Sequence, residues 1–270
     1  MAALAFVGSA RTNLTTSGTV IATTARSFTA GNHVIVFLRW EGSISATSVT
    51  VTDTAGNTYT AFSDVVSVGS NVRCKMFYSI GIAGNASNVV TATFGASRSY
   101  RSLTAVEISG DTPAAVSYDS AISTGTRATL GSGFDFGEDS FIVAGGGNFN
   151  FDSTNVISDR SGGSWSDISP TVTWANVAHS ARPTGKKGLL VDVTGTVNTQ
   201  RVLAAIAFDS GVNVPEDYTT GTILSQMASE VLITNTNPGG VLSQMAVEVL
   251  RPNSGPPGPS TVPPLIFTAG

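Results

Sequence analysis

Period-two alternation runs through most of this chain and limits its fold more than any other feature. Ser48-Val-Thr-Val-Thr-Asp53 alternates apolar and hydroxyl side chains, and Thr58-Tyr-Thr-Ala-Phe62 alternates again after Thr54-Ala-Gly-Asn57. Successive strand side chains point to opposite faces, so such runs describe strands with one buried and one wetted face. The two runs and their turn predict a hairpin over residues 48–62. Asn32-His-Val-Ile-Val-Phe-Leu-Arg-Trp40, bounded by Gly31 and Gly42, is a β-branched and aromatic run and reads as another strand. Met1–Ala10 has a short apolar run but no basic leader, so it reads as a first strand and not as a signal peptide. The pattern continues at 73–80, 88–94, 102–108, 140–144, 171–174, 188–193 and 201–208, with Gly84-Asn85 and Gly110-Asp111 as breakers. The polar stretch Gly145–Ser166 is expected to be a surface loop. Roughly eleven short strands separated by Gly, Asn and Ser turns predict an all-β fold. The expected architecture is a single antiparallel β-sandwich, jelly-roll-like, over residues 1–211, followed by an extended C-terminal arm over 212–270.

The arm carries a duplication. Ile223-Leu-Ser-Gln-Met-Ala-Ser-Glu-Val-Leu232 returns as Val241-Leu-Ser-Gln-Met-Ala-Val-Glu-Val-Leu250, identical at eight of ten positions and offset by 18 residues. A unit this short cannot bury its apolar face by itself, so it must lie on something else. Read as strands, the segments place Leu224, Gln226, Ala228, Glu230 and Leu232 on one face. Read as helices, they gather Leu224, Met227, Ala228, Val231 and Leu232 into one stripe. The Val-Leu-Ile ending and the β context favour strands, whereas Gln, Met, Ala and Glu favour helices. Arg251–Pro259 is too rich in Pro for a ladder and is expected to run extended. The expected docking residues are Leu224, Met227, Val231, Leu232, Leu242, Met245, Val249 and Leu250, joined near the end by Leu265, Ile266 and Phe267.

Composition removes several functional classes. Charged residues are 12% of the chain and the net charge is −4, with Lys186-Lys187 the one basic doublet, so a nucleic-acid footprint is missing. No run approaches the length of a membrane-spanning helix. Ser, Thr, Asn and Gly fill the polar positions instead, which suits both a crowded lattice and a secreted β protein. Cys74 is the single cysteine and sits in an alternating run, so it reads as a small buried apolar side chain.

The candidate chemistry is sparse. Asp53 and Asn57 flank a glycine and have the donor types for calcium, but Asp and Asn more simply bond their own backbone in a turn. Asp135-Phe-Gly-Glu-Asp139 concentrates three carboxylates without the alternating ligand spacing of a calcium loop. Glu41 and Glu107 are carboxylates near strand ends, and glycoside hydrolysis would need them to face each other across a cleft. No Gly-x-Ser-x-Gly elbow accompanies His33 or His179. Among the aromatics, Trp40 reads as core, while Trp165, in a polar Gly/Ser stretch, is the candidate for glycan contact. No catalytic residue, metal site or cofactor is predicted, and the chain is not expected to be an enzyme.

Val49-Thr-Val-Thr-Asp-Thr-Ala-Gly-Asn-Thr-Tyr59, with the run ending in Trp40, Phe77–Gly84 and Leu103–Gly110, resembles β-sandwich domains that recur in tailed-bacteriophage virion proteins and in some bacterial surface proteins. The resemblance spans roughly residues 19–209, and the Ser-Gln-Met-Ala-x-Glu-Val-Leu segments are similar to C-terminal segments of phage structural proteins. It implies a virion component on the particle exterior, as capsid decoration or as part of a tail or fibre, made in the host cytoplasm. The implied partners are other virion proteins and copies of the chain itself, with host surface glycans as a further ligand. A carbohydrate-binding or host-adhesion module is the alternative.

Overall fold

The structure, a computed structural model, describes residues 2–42, 48–63, 65–66, 72–130, 140–149, 156–159, 165–168, 175–182, 191–195 and 200–209. All of them lie in one compact unit, Met1–Val214. Among the described residues every regular element is a strand, and every ladder is antiparallel. The fold is an all-β antiparallel sandwich. The predicted strand 171–174, the 135–139 carboxylates, Lys186-Lys187 and the whole of 210–270 lie outside the described residues.

The first half contains β1 (Ala5–Leu14), β2 (Gly18–Ala22), β3 (Arg26–Phe28), β4 (His33–Glu41), β5 (Val49–Asp53), β6 (Thr60–Ala61), β7 (Val65–Val66), β8 (Val72–Ser79), β9 (Asn85–Asn88) and β10 (Val90–Ser109). Its main sheet has the order β1-β10-β4-β8-β6, with β7 also on β8. The first part of β10 pairs instead with β2 and β5, forming a second sheet. The expected strands 88–94 and 102–108 are, from Val90 on, one long strand that turns a corner between two sheets, while Asn88 ends β9. Tyr100 sits at that corner with φ 46, a left-handed conformation rare for a bulky residue, and its carbonyl accepts Arg39 Nη1 at 2.7 Å. The expected hairpin over 48–62 does not form: β5 pairs with β10 and β6 pairs with β8. Alternation specifies a half-buried strand but not which neighbour it takes, so the turn after Asp53 carries the chain from one sheet to the other.

The second half repeats this plan. Its strands are β11 (Ala115–Ser123), β12 (Arg127–Thr129), β13 (Ser140–Asn148), β14 (Val156–Asp159), β15 (Ser166–Asp167), β16 (Ala175–Arg182), β17 (Val191–Thr194) and β18 (Arg201–Asp209). The main sheet runs β11-β18-β13-β16-β15 and the small one β12-β17-β14, with β17 and β18 standing where β10 stands in the first half. The ladders align the two halves residue by residue. Leu103 pairs with Leu38 and Leu203 with Gly146; Thr104 pairs with Phe37 and Ala204 with Gly145. In that alignment Arg101, Leu103 and Ala105 recur as Arg201, Leu203 and Ala205, and Val51 as Ile157. Both arginines are buried and reach back to the connection after their repeat's first strand: Arg101 donates to the Thr16 carbonyl there and to that of Val20 in β2, and Arg201 to that of Gly125. The sequence carries the echo too, since Asp53-Thr-Ala-Gly-Asn-Thr-Tyr59 aligns with Asp159-Arg-Ser-Gly-Gly-Ser-Trp165.

Three apolar layers bind four sheets. Ile21, Val51, Ala92 and Phe94 of the first small sheet pack on Val34, Val36, Leu38, Trp40 and Leu103. Ile35, Phe37, Met76, Val106 and Ile108 on the other face of that main sheet pack on Phe141, Val143, Val177, Ile206 and Phe208 of the second repeat. Ile142, Ala144, Leu203 and Ala205 then pack on Ala128, Ile157 and Val193 of the second small sheet. Both main sheets are thus covered on both faces, which is why Val34–Leu38 and Val202–Phe208 are continuous apolar runs. The Gly145–Gly147 triplet belongs to β13 and is buried, contrary to the expected loop. The reason is close approach between layers. A Cβ on Gly145 would stand 2.2 Å from the Phe37 ring, and one on Gly146 would stand 2.6 Å from Val193.

Candidate functional site

The turn singled out in the sequence is a densely bonded polar feature of the described residues. Gly56 takes φ 78 and donates its N–H to the Asp53 carbonyl at 3.2 Å, a conformation glycine adopts without penalty. Asp53 Oδ1 accepts the N–H groups of Ala55 (3.1 Å) and Asn57 (2.9 Å). Oδ2 accepts Asn57 Nδ2 (2.7 Å), Tyr59 Oη (2.9 Å) and Asn88 Nδ2 (3.0 Å). Burial by itself raises the Asp53 pKa, but the hydrogen bonds from Asn88, Asn57 and Tyr59 outweigh it and hold the carboxyl below its usual range. Burial and the adjacent carboxylate push the Tyr59 phenol far above its usual value. Five donors saturate the lone pairs a cation would need, so Asp53 and Asn57 form a turn.

Beside this turn, Gly56, Asn57, Thr58 and Thr60 on one side and Tyr78–Gly81 and Ala83 on the other border an open depression of about 580 Å³. Asn57 closes part of its floor, donating Nδ2 to the Ala83 carbonyl at 3.3 Å and accepting the Ala83 N–H at 2.7 Å.

Glu41 and Glu107 do not face each other. Glu107 pairs across from Val34, seven residues before Glu41 on the same strand β4, a separation of ~23 Å at ~3.3 Å per residue. Glu107 is buried and ties the β3–β4 connection to β10, accepting the Thr29 N–H and Asn32 Nδ2, each at 2.7 Å. Glu41 accepts from Arg39 Nη2, which also donates to the Asn148 carbonyl of the second repeat. Burial raises the Glu41 pKa and the Arg39 guanidinium opposes it; burial lowers that of Arg39. Arg11 Nη2 likewise donates to the Ala175 carbonyl at 3.0 Å, so these two arginines stitch the repeats together.

Both histidines serve packing. His33 Nδ1 accepts the Gly81 N–H and its Nε2 hydrogen bonds the Asp111 carbonyl, each at 3.1 Å, which fits the neutral ring protonated on Nε2. His179 is stacked between Phe6 (centroids 4.4 Å) and Phe141 (5.3 Å). Burial lowers the pKa of both. Cys74 is buried, as its strand pattern predicts. Trp40 is wholly buried and edge-on to Phe94. Trp165, the candidate for glycan contact, is half-buried and packs against the third core layer, as Tyr59 packs against the layer of its own repeat. The equivalence of Trp165 to Tyr59 was hidden because the aligned sequence has Gly162-Gly163 in place of Gly56-Asn57, and a polar glycine pair reads as an open loop.

The structure thus brings Asp53, Asn57, Tyr59 and Asn88 together, and separates Glu41 from Glu107. The arm segments Ile223–Leu232 and Val241–Leu250, and Leu265–Phe267, lie outside the described residues. No family model matches the chain, and no curated protein and no solved structure matches it either.

Proposed function

We propose that this chain is a structural component of an assembled particle, the exterior of a tailed-bacteriophage virion, attached to neighbouring subunits through its C-terminal arm. The observation that carries the reading is the pair of near-identical segments, Ile223–Leu232 and Val241–Leu250, set 18 residues apart beyond a folded body. Two short apolar segments on one tether gain avidity by effective concentration, a use for duplication that a soluble single-site module does not have. The body supports the reading through its economy of chemistry. Asp53, Glu41, Glu107 and His33 all bond to groups that hold the fold. A duplicated, doubly covered sandwich makes a stiff building block.

The reading includes capsid decoration and tail or fibre positions, which copy number per particle separates. Its test is deletion of 221–270. The truncated chain should keep the β-type circular dichroism spectrum and lose incorporation into particles. Incorporation of the truncated chain at normal occupancy would refute the reading and favour a glycan-binding or adhesion module.

A further inference from the structure

We infer that the outer edges of β1 and β11 are paired docking strands, each completed by one of the two arm segments of a neighbouring copy of the chain. The inference rests on the proposed attachment role of the arm and gives it a receptor. In each main sheet one end is a strand of two residues, β6 or β15, the shortness that proteins commonly use to blunt an edge. The opposite end is left long. β1 has ten residues and β11 nine, neither contains Pro or Lys, and among the described residues no strand pairs with their outer sides. Three exposed large apolar residues, Phe6, Val7 and Ile122, lie on these two strands. Arg26 lies over the sheet face at Gly8 and donates to the Val7 and Ser9 carbonyls at 3.3 and 3.5 Å, so its guanidinium covers the face of β1 and not a neighbouring strand's place.

Number, length and likeness then match the occupant to the site. There are two edges at equivalent positions in two repeats, and two arm segments identical at eight of ten positions. Each segment is ten residues long, against edges of ten and nine. Backbone ladders need no particular side chain, so near-identical segments suit edges whose own sequences differ. The edges also lie on opposite sides of the sandwich. Phe6 of β1 stacks over His179 of β16, while Tyr118 of β11 stacks on Phe62, next to β6. Four strand spacings of ~4.8 Å put them about 20 Å apart. The chain from Leu232 to Val241 spans up to ~30 Å when extended, enough for one arm to hold both edges of one neighbour.

The test uses full-length chains carrying Cys74→Ala, the residue found at the equivalent position, Ala175. One population bears Ser9→Cys or Ser120→Cys; the other bears Ser225→Cys, Gln226→Cys, Ser243→Cys or Gln244→Cys, covering both faces of both arm segments. They are mixed under mild oxidation, and disulfides are mapped by mass spectrometry. Both edges should link to the arm between chains roughly tenfold or more faster than to a control cysteine, Ser254→Cys, in the Pro-rich tail. Equal rates for arm and control, or links formed only when edge and arm cysteines share one chain, would overturn the inference. Loss of incorporation on deleting 221–270 without such links would leave the arm as the attachment device and remove only the edges as its receptor.

Discussion

Replacing Gly145 with Ala tests the face-to-face stacking of the two repeats directly. The added methyl would lie 2.2, 2.4 and 2.5 Å from Cδ2, Cγ and Cε2 of Phe37, against the ~3.5–4.0 Å at which carbon atoms rest. Neither partner can retreat cheaply. Strand β13 is held between β16 and β18, and β4 between β8 and β10, while Phe37 has no exposed surface. Overpacking of this kind should cost about 1–3 kcal/mol or more. Phe37→Ala should cost ~3–5 kcal/mol through the cavity it leaves. In the double variant the new methyl occupies part of that cavity, so the total should fall short of the sum by ~1–3 kcal/mol. Urea unfolding followed by circular dichroism measures all three values, provided that the slope m is unchanged among the variants. Additivity within about 0.5 kcal/mol would refute the contact and with it the proposed stacking of equivalent strands.

Asp53→Ala leaves the Tyr59 hydroxyl and the Asn88 amide without their acceptor and should destabilise by ~1–3 kcal/mol in the same assay, whereas an exposed-residue change such as Thr52→Ser should not. A second measurement concerns pH. His33 and His179 have folded pKa values below their ordinary one, so the unfolded chain binds more protons as pH falls through about 6.5. Their contribution is therefore complete above that value and is lost as pH falls through the folded values. The unfolding midpoint should drop between pH 7 and 5, and His179→Tyr, which installs the residue found at the equivalent Tyr78, should flatten part of that slope. A midpoint independent of pH over this window would contradict the neutral packing of both rings.

Much of the architecture was legible because burial on one face leaves a period-two trace in any strand, whatever it pairs with. The alternation at Val49–Asp53, the run ending at Trp40 and the buried Cys74 were all readable on that ground. The turn at Asp53 was readable because its Asp, Gly and Asn have strong local preferences. What the alternation could not specify was partnership. Whether β5 meets β6 or β10 depends on contacts between residues about forty apart, which leave no periodic mark. The duplication was nearly invisible for a related reason. At the contact between repeats, equivalent positions must differ in size, so Phe37 on one side meets Gly145 on the other, and similarity is lost where the halves touch. It persists at Arg101 and Arg201, and at Leu103 and Leu203, where each repeat faces only itself. By itself the sequence determined the class of structure. Tertiary packing alone decided that the body is one plan stacked on itself, because close packing demands complementary and not identical surfaces.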